Sequence, residues 1–185
     1  TWRLHLISVF LMVIATLLEP IRTTIWFGQI NVFLMLLILW DLLRGPKSRL
    51  RGAGTGLAAG IKLTPLLFAV YLVAIRQWRA AVTLVGTFAA TVAVGFAIMP
   101  RASWDYWTGT LFDSDRVASP QTAGNQSIRG ALANLGHTDH PSTLAWLGLA
   151  AVVVVLGLGA AVLAHRNGAE LLALSLVGMT SCAVS

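Results

Sequence analysis

The sequence predicts an all-α fold, a polytopic bundle of transmembrane helices, and three observations carry that prediction. Of the 185 residues, 57% are hydrophobic and only 11% charged, against about 25% charged in an ordinary soluble domain. The mean hydropathy is +0.78. Apolar stretches follow one another along the chain, and Lys and Arg gather in the short segments between them, as they do around membrane spans. A large soluble module is excluded, and residues 1–185 read as a single transmembrane domain.

A helix needs about 20 apolar residues to cross the hydrocarbon, fewer where the bilayer thins around it. Residues 4–18 form the first candidate span. Glu19, Pro20 and Arg22 then precede Gly28, Gln29 and Asn31 at a membrane edge. The amides of Gln29 and Asn31 can bond a hydroxyl-rich ligand or satisfy backbone groups at a helix start. Residues 30–43 form the second span and end at the basic loop 44–51. Residues 53–75 are long enough to cross, but they hold Gly54, Gly56, Gly60, Lys62 and Pro65. A straight helix there would set a charge and a break near mid-bilayer. Two half-helices meeting near Thr64 and Pro65 avoid this. The alternative is one kinked span whose Gly52, Gly56 and Gly60 pack a neighbouring helix, and such packing is compatible with either arrangement. Residues 80–99, 144–164 and 170 onward supply the remaining spans.

Orientation favours the broken-helix hairpin. With two half-helices, the basic loops 44–51 and 76–79 face the same side. Arg3, Arg44, Lys47, Arg49, Arg51, Arg76, Arg79 and Arg166 are then cytoplasmic, against Arg22, Arg101, Arg116 and Arg129 outside, with Lys62 left within the membrane. Residues 100–143 become a long extracytoplasmic loop. Trp2, Trp26, Trp40, Trp78 and Trp146 fall near span ends, as an aromatic belt requires.

Irregular backbone at membrane depth survives only where it is buried in protein or lines a cavity, so the hairpin places a site near Lys62, open toward the long loop. An ionisable group within a span is a functional candidate because its insertion costs about 2.5 to 3.5 kcal/mol. A compact ammonium there suits a phosphate arriving through lipid. The loop itself offers Asn125, Gln126, Ser127 and Arg129, whose amides suit sugar hydroxyls and whose guanidinium suits phosphate oxygens; a capped loop helix uses the same residues. Trp104 and Trp107, flanking Asp105 and Tyr106, are a candidate sugar platform or an interfacial anchor.

Other chemistry is thin. His137, Asp139 and His140 have metal-ligand side chains, but no further ligands complete a site, and no metal is expected. Cys182 is the single cysteine, so a disulfide framework is excluded. Gly54, Gly56 and Gly60 miss the dinucleotide spacing and follow no strand. The net charge of +6 and pI near 10.8 belong to membrane orientation and lipid headgroup contact rather than to nucleic acid. The chain opens on Thr1 and its last apolar segment runs to Ser185 without a terminating signal, so a fragment open at both ends is expected, targeted to the plasma membrane by its spans.

Glu19-Pro20 with Arg22, followed by Gly28-Gln29-Ile30-Asn31, then the run from Gly56 through Lys62 to Pro65, then Asn125-Gln126-Ser127-Ile128-Arg129-Gly130, resemble in that order glycosyltransferase family 87. These are actinobacterial polyprenol-phosphate-mannose-dependent alpha-(1,2)-mannosyltransferases of the GT-C superfamily. The resemblance implies a multi-pass enzyme of GT-C type that moves mannose from a polyprenyl phosphate carrier to a glycolipid or lipoglycan at the outer membrane face. It implies donor or acceptor binding by Gln29, Asn31, Lys62, Asn125, Gln126 and Arg129. It also implies a general base from an early loop aspartate that has no match here, leaving Glu19 and Asp105 as substitutes, so this chain alone is expected to lack a complete catalytic site. The polyprenyl phosphate already carries the leaving charge, and no cofactor is expected. A lipid or sugar transporter, or flippase, is the alternative because broken helices with a midplane charge also build carriers. A transporter should carry a second, inverted copy of the hairpin, and none is evident. A third reading, a non-catalytic membrane scaffold, needs no polar cluster.

Overall fold

The computed structural model describes residues 30–45, 48–112, 127–137 and 142–184, and every regular element among them is helical. The expected span 4–18, with Glu19 and Gln29, and the loop residues Asn125 and Gln126 lie outside the described residues.

The first helix, α1, is Asn31–Leu42 and turns Leu34, Ile38 and Leu42 inward on one stripe. Helix α2, Ala53–Ile61, begins after Gly52, whose φ of 98° favours glycine. It ends where Pro65 requires, because that ring clashes with the carbonyl of Ile61 and supplies no N–H to extend the helix. Lys62 is extended, with φ −143° and ψ 128°, and a single 3-10 turn, Thr64–Leu66, leads into α3, Leu67–Ala74. The expected break near Thr64 and Pro65 is therefore present, beginning at Lys62.

Its two arms form a hairpin. A Cβ on Gly52 would meet Ala80 and Leu84, one on Gly56 would meet Leu84 and Thr87, and one on Gly60 would meet Thr91. Helix α2 thus runs parallel to α4, Trp78–Ile98, with Gly52 beside the start of α4. Since α3 must carry the chain from the far end of α2 back to Trp78, it descends. Close glycine packing and the hairpin coexist here rather than compete. Nine residues at about 1.5 Å each reach about 13 Å, less than half of a roughly 30 Å hydrocarbon core.

Helix α5, Pro100–Thr108, has proline in its first turn, and a short 3-10 turn, Thr110–Phe112, follows it. Helix α6, Ile128–Gly136, follows the capping residue Ser127. The segment read as one polar loop is therefore helical at 100–108 and at 128–136, because the N-terminal proline and the Ser127 cap start helices that hydropathy does not register. Helix α7, Thr143–Arg166, and helix α8, Glu170–Val184, form an antiparallel pair in which Gly157 lies against Thr180. Helices α4 and α7, of 21 and 24 residues, are long and apolar enough to cross a membrane. Helix α4 starts at Trp78, two residues before the expected boundary.

Leu34, Ile38 and Leu42 of α1, Phe68, Tyr71 and Leu72 of α3, Leu84 of α4, and Leu174 and Val177 of α8 meet in one apolar core. The outer faces of α4 and α7 expose Val82, Val94, Ile98, Leu144, Val155 and Leu156. Such faces suit hydrocarbon or further protein, not water.

Candidate functional site

The hairpin and α1 place two of the sequence candidates side by side. Helix α1 runs antiparallel to α2, so its first residue, Asn31, stands beside the residue that follows α2. The Nζ of Lys62 donates to Oδ1 of Asn31 at 3.4 Å, and this pair is exposed. Lys62 is exposed and Asn31 takes one of its three donors, so the ammonium keeps donors for a further oxygen. An acceptor amide beside a cation can hold a phosphate and an adjacent hydroxyl at once.

The aromatic tract rests on the same stretch of α4. Gly60, two residues before Lys62, faces Thr91, while Trp107 stands edge-to-face on Phe88 with ring centroids 6.2 Å apart. Phe88 and Thr91 are less than one turn apart on α4, and the Thr91 hydroxyl donates to the Phe88 carbonyl at 2.6 Å. Trp107 also meets Tyr106 edge-on, with centroids 5.4 Å apart. Trp107 is half-buried in these contacts, whereas Trp104 and Asp105 are exposed.

Ser127 is buried, and its hydroxyl accepts from the N–H of Gly130 at 3.3 Å, which satisfies a donor at the start of α6. Arg129 sits half-buried in the first turn of α6. Helix α6 packs on α7 and α8, and α8 also touches the 3-10 turn at the break. Arg129 makes no hydrogen bond or ion pair with Lys62 or Asn31 among the described residues. His137 caps the end of α6 with φ 46°; Asp139 and His140 lie outside the described residues. Among those described, no three His, Cys, Asp or Glu side chains converge.

At the other end of the hairpin the polar groups are buried. Asp41 is fully inaccessible. Its Oδ1 and Oδ2 accept from the N–H of Gly52 at 3.1 and 3.0 Å, and Oδ2 accepts from the N–H and hydroxyl of Thr55 at 2.9 and 2.8 Å. Gly52 has no side chain with which to cap α2, and a carboxylate from α1 takes that place. Beside it Arg51, 3% exposed, donates to Glu170 at 2.9 Å, tying the start of α2 to α8. His165 Nδ1 lies 3.3 Å from the same carboxylate, without hydrogen-bond alignment. Arg44, Arg49, Arg76, Arg79 and Arg166 surround this end; the Arg44 guanidinium lies 3.5 Å over the Trp40 ring.

The profile of glycosyltransferase family 87 matches residues 1–185. The chain belongs to glycosyltransferase family 87. A Mycobacterium tuberculosis relative named polyprenol-phosphate-mannose-dependent alpha-(1-2)-phosphatidylinositol mannoside mannosyltransferase is 36% identical over 168 residues, 91% of this chain and 39% of the relative. A second, named as the corresponding phosphatidylinositol pentamannoside mannosyltransferase, is 39% identical over 184 residues, 98% of this chain and 42% of the relative. A Mycolicibacterium smegmatis relative bearing the first name is 37% identical over 150 residues, 81% of this chain and 34% of its own length. The chain therefore spans about two fifths of the length of the curated relatives it matches. No solved structure matches it. With two helices of spanning length, this family 87 chain is a membrane protein.

Sequence reasoning missed Asp41 and the pairing of Arg51 with Glu170. Asp41 had a signal: a carboxylate inside the apolar run Ile38-Leu39-Trp40-Asp41-Leu42-Leu43, where an acid needs a partner. The Arg51 pair had none, since its partner is 119 positions away.

Proposed function

We propose that this chain is the part of a membrane mannosyltransferase that holds a polyprenyl-phosphate-mannose donor. The enzyme transfers mannose in alpha-1,2 linkage to a phosphatidylinositol mannoside or related lipoglycan at the outer face of the plasma membrane. The observation that carries this reading is the exposed Lys62–Asn31 pair at a helix break, the arrangement a lipid-borne phosphate needs; the relatives' names supply donor and linkage.

In this reading the basic end of the hairpin faces the cytoplasm, the chain crosses the membrane several times as a GT-C bundle, and the break opens outward beneath the loop 100–143. The acceptor hydroxyl attacks the anomeric carbon of mannose as a base takes its proton, and the bond from that carbon to the phosphate oxygen breaks. The Lys62 ammonium offsets the charge left on the departing polyprenyl phosphate, and Asn31 orders the phosphate or a sugar hydroxyl beside it. Gln29, Asn125, Gln126, Ser127 and Arg129 are proposed to complete the donor and acceptor contacts, with Trp104 a sugar platform. A single base suffices if the anomeric centre inverts; Glu19 and Asp105 are the weaker candidates within this chain, and a base from outside it is the stronger.

The test is transfer from labelled polyprenyl-phosphate mannose to membrane glycolipid by the full-length protein. Lys62→Glu should abolish transfer while the protein remains folded in the membrane. Retained transfer would remove Lys62 from the site, and no transfer by the unaltered protein to any endogenous lipid would overturn the proposal.

A further inference from the structure

We propose that Asp41 is a positioning residue for the donor site: from the buried end of the hairpin it sets the register of α2, and through α2 the height at which Lys62 meets Asn31. The proposal deepens the reading above and rests on Lys62 meeting the donor phosphate.

Helix α1 touches the hairpin's first arm through polar groups at both of its ends. Near its end, Asp41 gathers the free N–H groups of Gly52 and Thr55 and the Thr55 hydroxyl. At its first residue, Asn31 accepts from Lys62. Ten residue steps on α1 separate Asn31 from Asp41 and ten on the chain separate Gly52 from Lys62, so two rods of equal residue count lie antiparallel and are pinned at opposite ends. The pin at Asp41 is the firm one: it is fully buried, with both oxygens engaged. The bond from Lys62 to Asn31 is long and exposed. In a pair so arranged, the firm pin decides where the loose end falls.

The rest of the packing does not replace this pin. Gly52, Gly56 and Gly60 seat α2 against α4, not against α1. The Arg51–Glu170 pair ties α2 to α8, not to α1. Between α2 and the helix that carries Asn31, Gly54 packs on Leu37 and Asp41, and among the described residues Asp41 supplies the buried hydrogen bonds that fix one helix along the other.

Two measurements on the full-length protein in membranes test this. The first is independent of catalysis. Asn31→Cys and Lys62→Cys are combined in a background freed of other cysteines, including the exposed Cys182, and joined by a short bifunctional thiol reagent. Adding Asp41→Asn, which replaces one acceptor oxygen by a donor, should slow the cross-link several-fold; an unchanged rate overturns the proposal. The second is a double-mutant cycle. Asp41→Asn alone should raise the donor KM about tenfold or more, the scale on which small displacements of a binding group act, and leave the acceptor KM unchanged. In a Lys62→Gln background it should add nothing further. An equal rise in both backgrounds, or a matching rise in acceptor KM, would make Asp41 a general stabiliser and overturn its positioning role. Thr55→Val, which removes one of the four bonds, should move both readouts the same way by less; no movement overturns the register argument. If Lys62→Gln itself leaves transfer intact, the donor-site reading fails, while the cross-link still reports whether Asp41 sets the register.

Discussion

The two ends of the broken hairpin use the same kinds of residue to opposite effect. At the start of α2, Asp41, Thr55, Arg51 and Glu170 are folded into one another, three of them buried, each with a partner. At its finish, Lys62 and Asn31 share one long hydrogen bond and stay exposed. A buried charge without its partner costs several kcal/mol, so the first arrangement is built to be held. An exposed cation with spare donors is free to take a ligand. Polar residues in one short segment thus divide into those the fold needs and those it presents, and the division runs along α2.

Mutations should separate the two ends. The largest expected effect is at the helix contact below the break: Gly56→Leu would drive a side chain into the Leu84 carbonyl and the Thr87 side chain and should cost at least about 3 kcal/mol, read as loss of folded protein on thermal unfolding in nanodiscs. Asp41→Ala should come next, at about 2 to 4 kcal/mol, because it strands buried N–H groups at Gly52 and Thr55. Glu170→Ala should cost about 1 to 2 kcal/mol; its carboxylate is 35% exposed, so water screens part of the pair, but Arg51 would be left buried. Lys62→Gln should change stability by no more than about 0.5 kcal/mol while transfer falls at least tenfold. A Lys62→Gln protein that unfolds as readily as Asp41→Ala would erase the distinction between the ends.

Most of the fold was legible because hydropathy reports what burial and lipid select. Residues 80–99 and 144–164 were expected as spans and are helices of spanning length at 78–98 and 143–166, whereas the expected spans at 30–43 and from 170 onward are shorter apolar helices at 31–42 and 170–184. The break was legible for a different reason: Pro65 and Lys62 cannot both sit in a straight membrane helix. Within 100–143 the helix at 100–108 was not anticipated, since Pro100 starts it by backbone chemistry on polar sequence, whereas the capped helix after Ser127 had been one of two readings of that run. At the site, Lys62 stood out by its charge, but that Asn31 is its neighbour depends on α1 running antiparallel to α2, which periodicity does not encode. Ser127 shows the converse. Its hydroxyl suits a ligand or a helix cap on sequence alone, and in the fold it accepts the N–H of Gly130 at the start of α6.

The short arm α2 has an electrostatic consequence as well. Aligned peptide groups leave a helix positive at its start and negative at its finish, and each end favours an opposite charge by about 0.3 to 1 kcal/mol. The Asp41 carboxylate meets the positive end of α2 and the Lys62 ammonium follows its negative end. Helix and side chains therefore form an alternating line of charge from the buried end to the exposed one. Exchanging the two side chains would keep the composition and the net charge unchanged, yet it would set like against like at both ends of the arm.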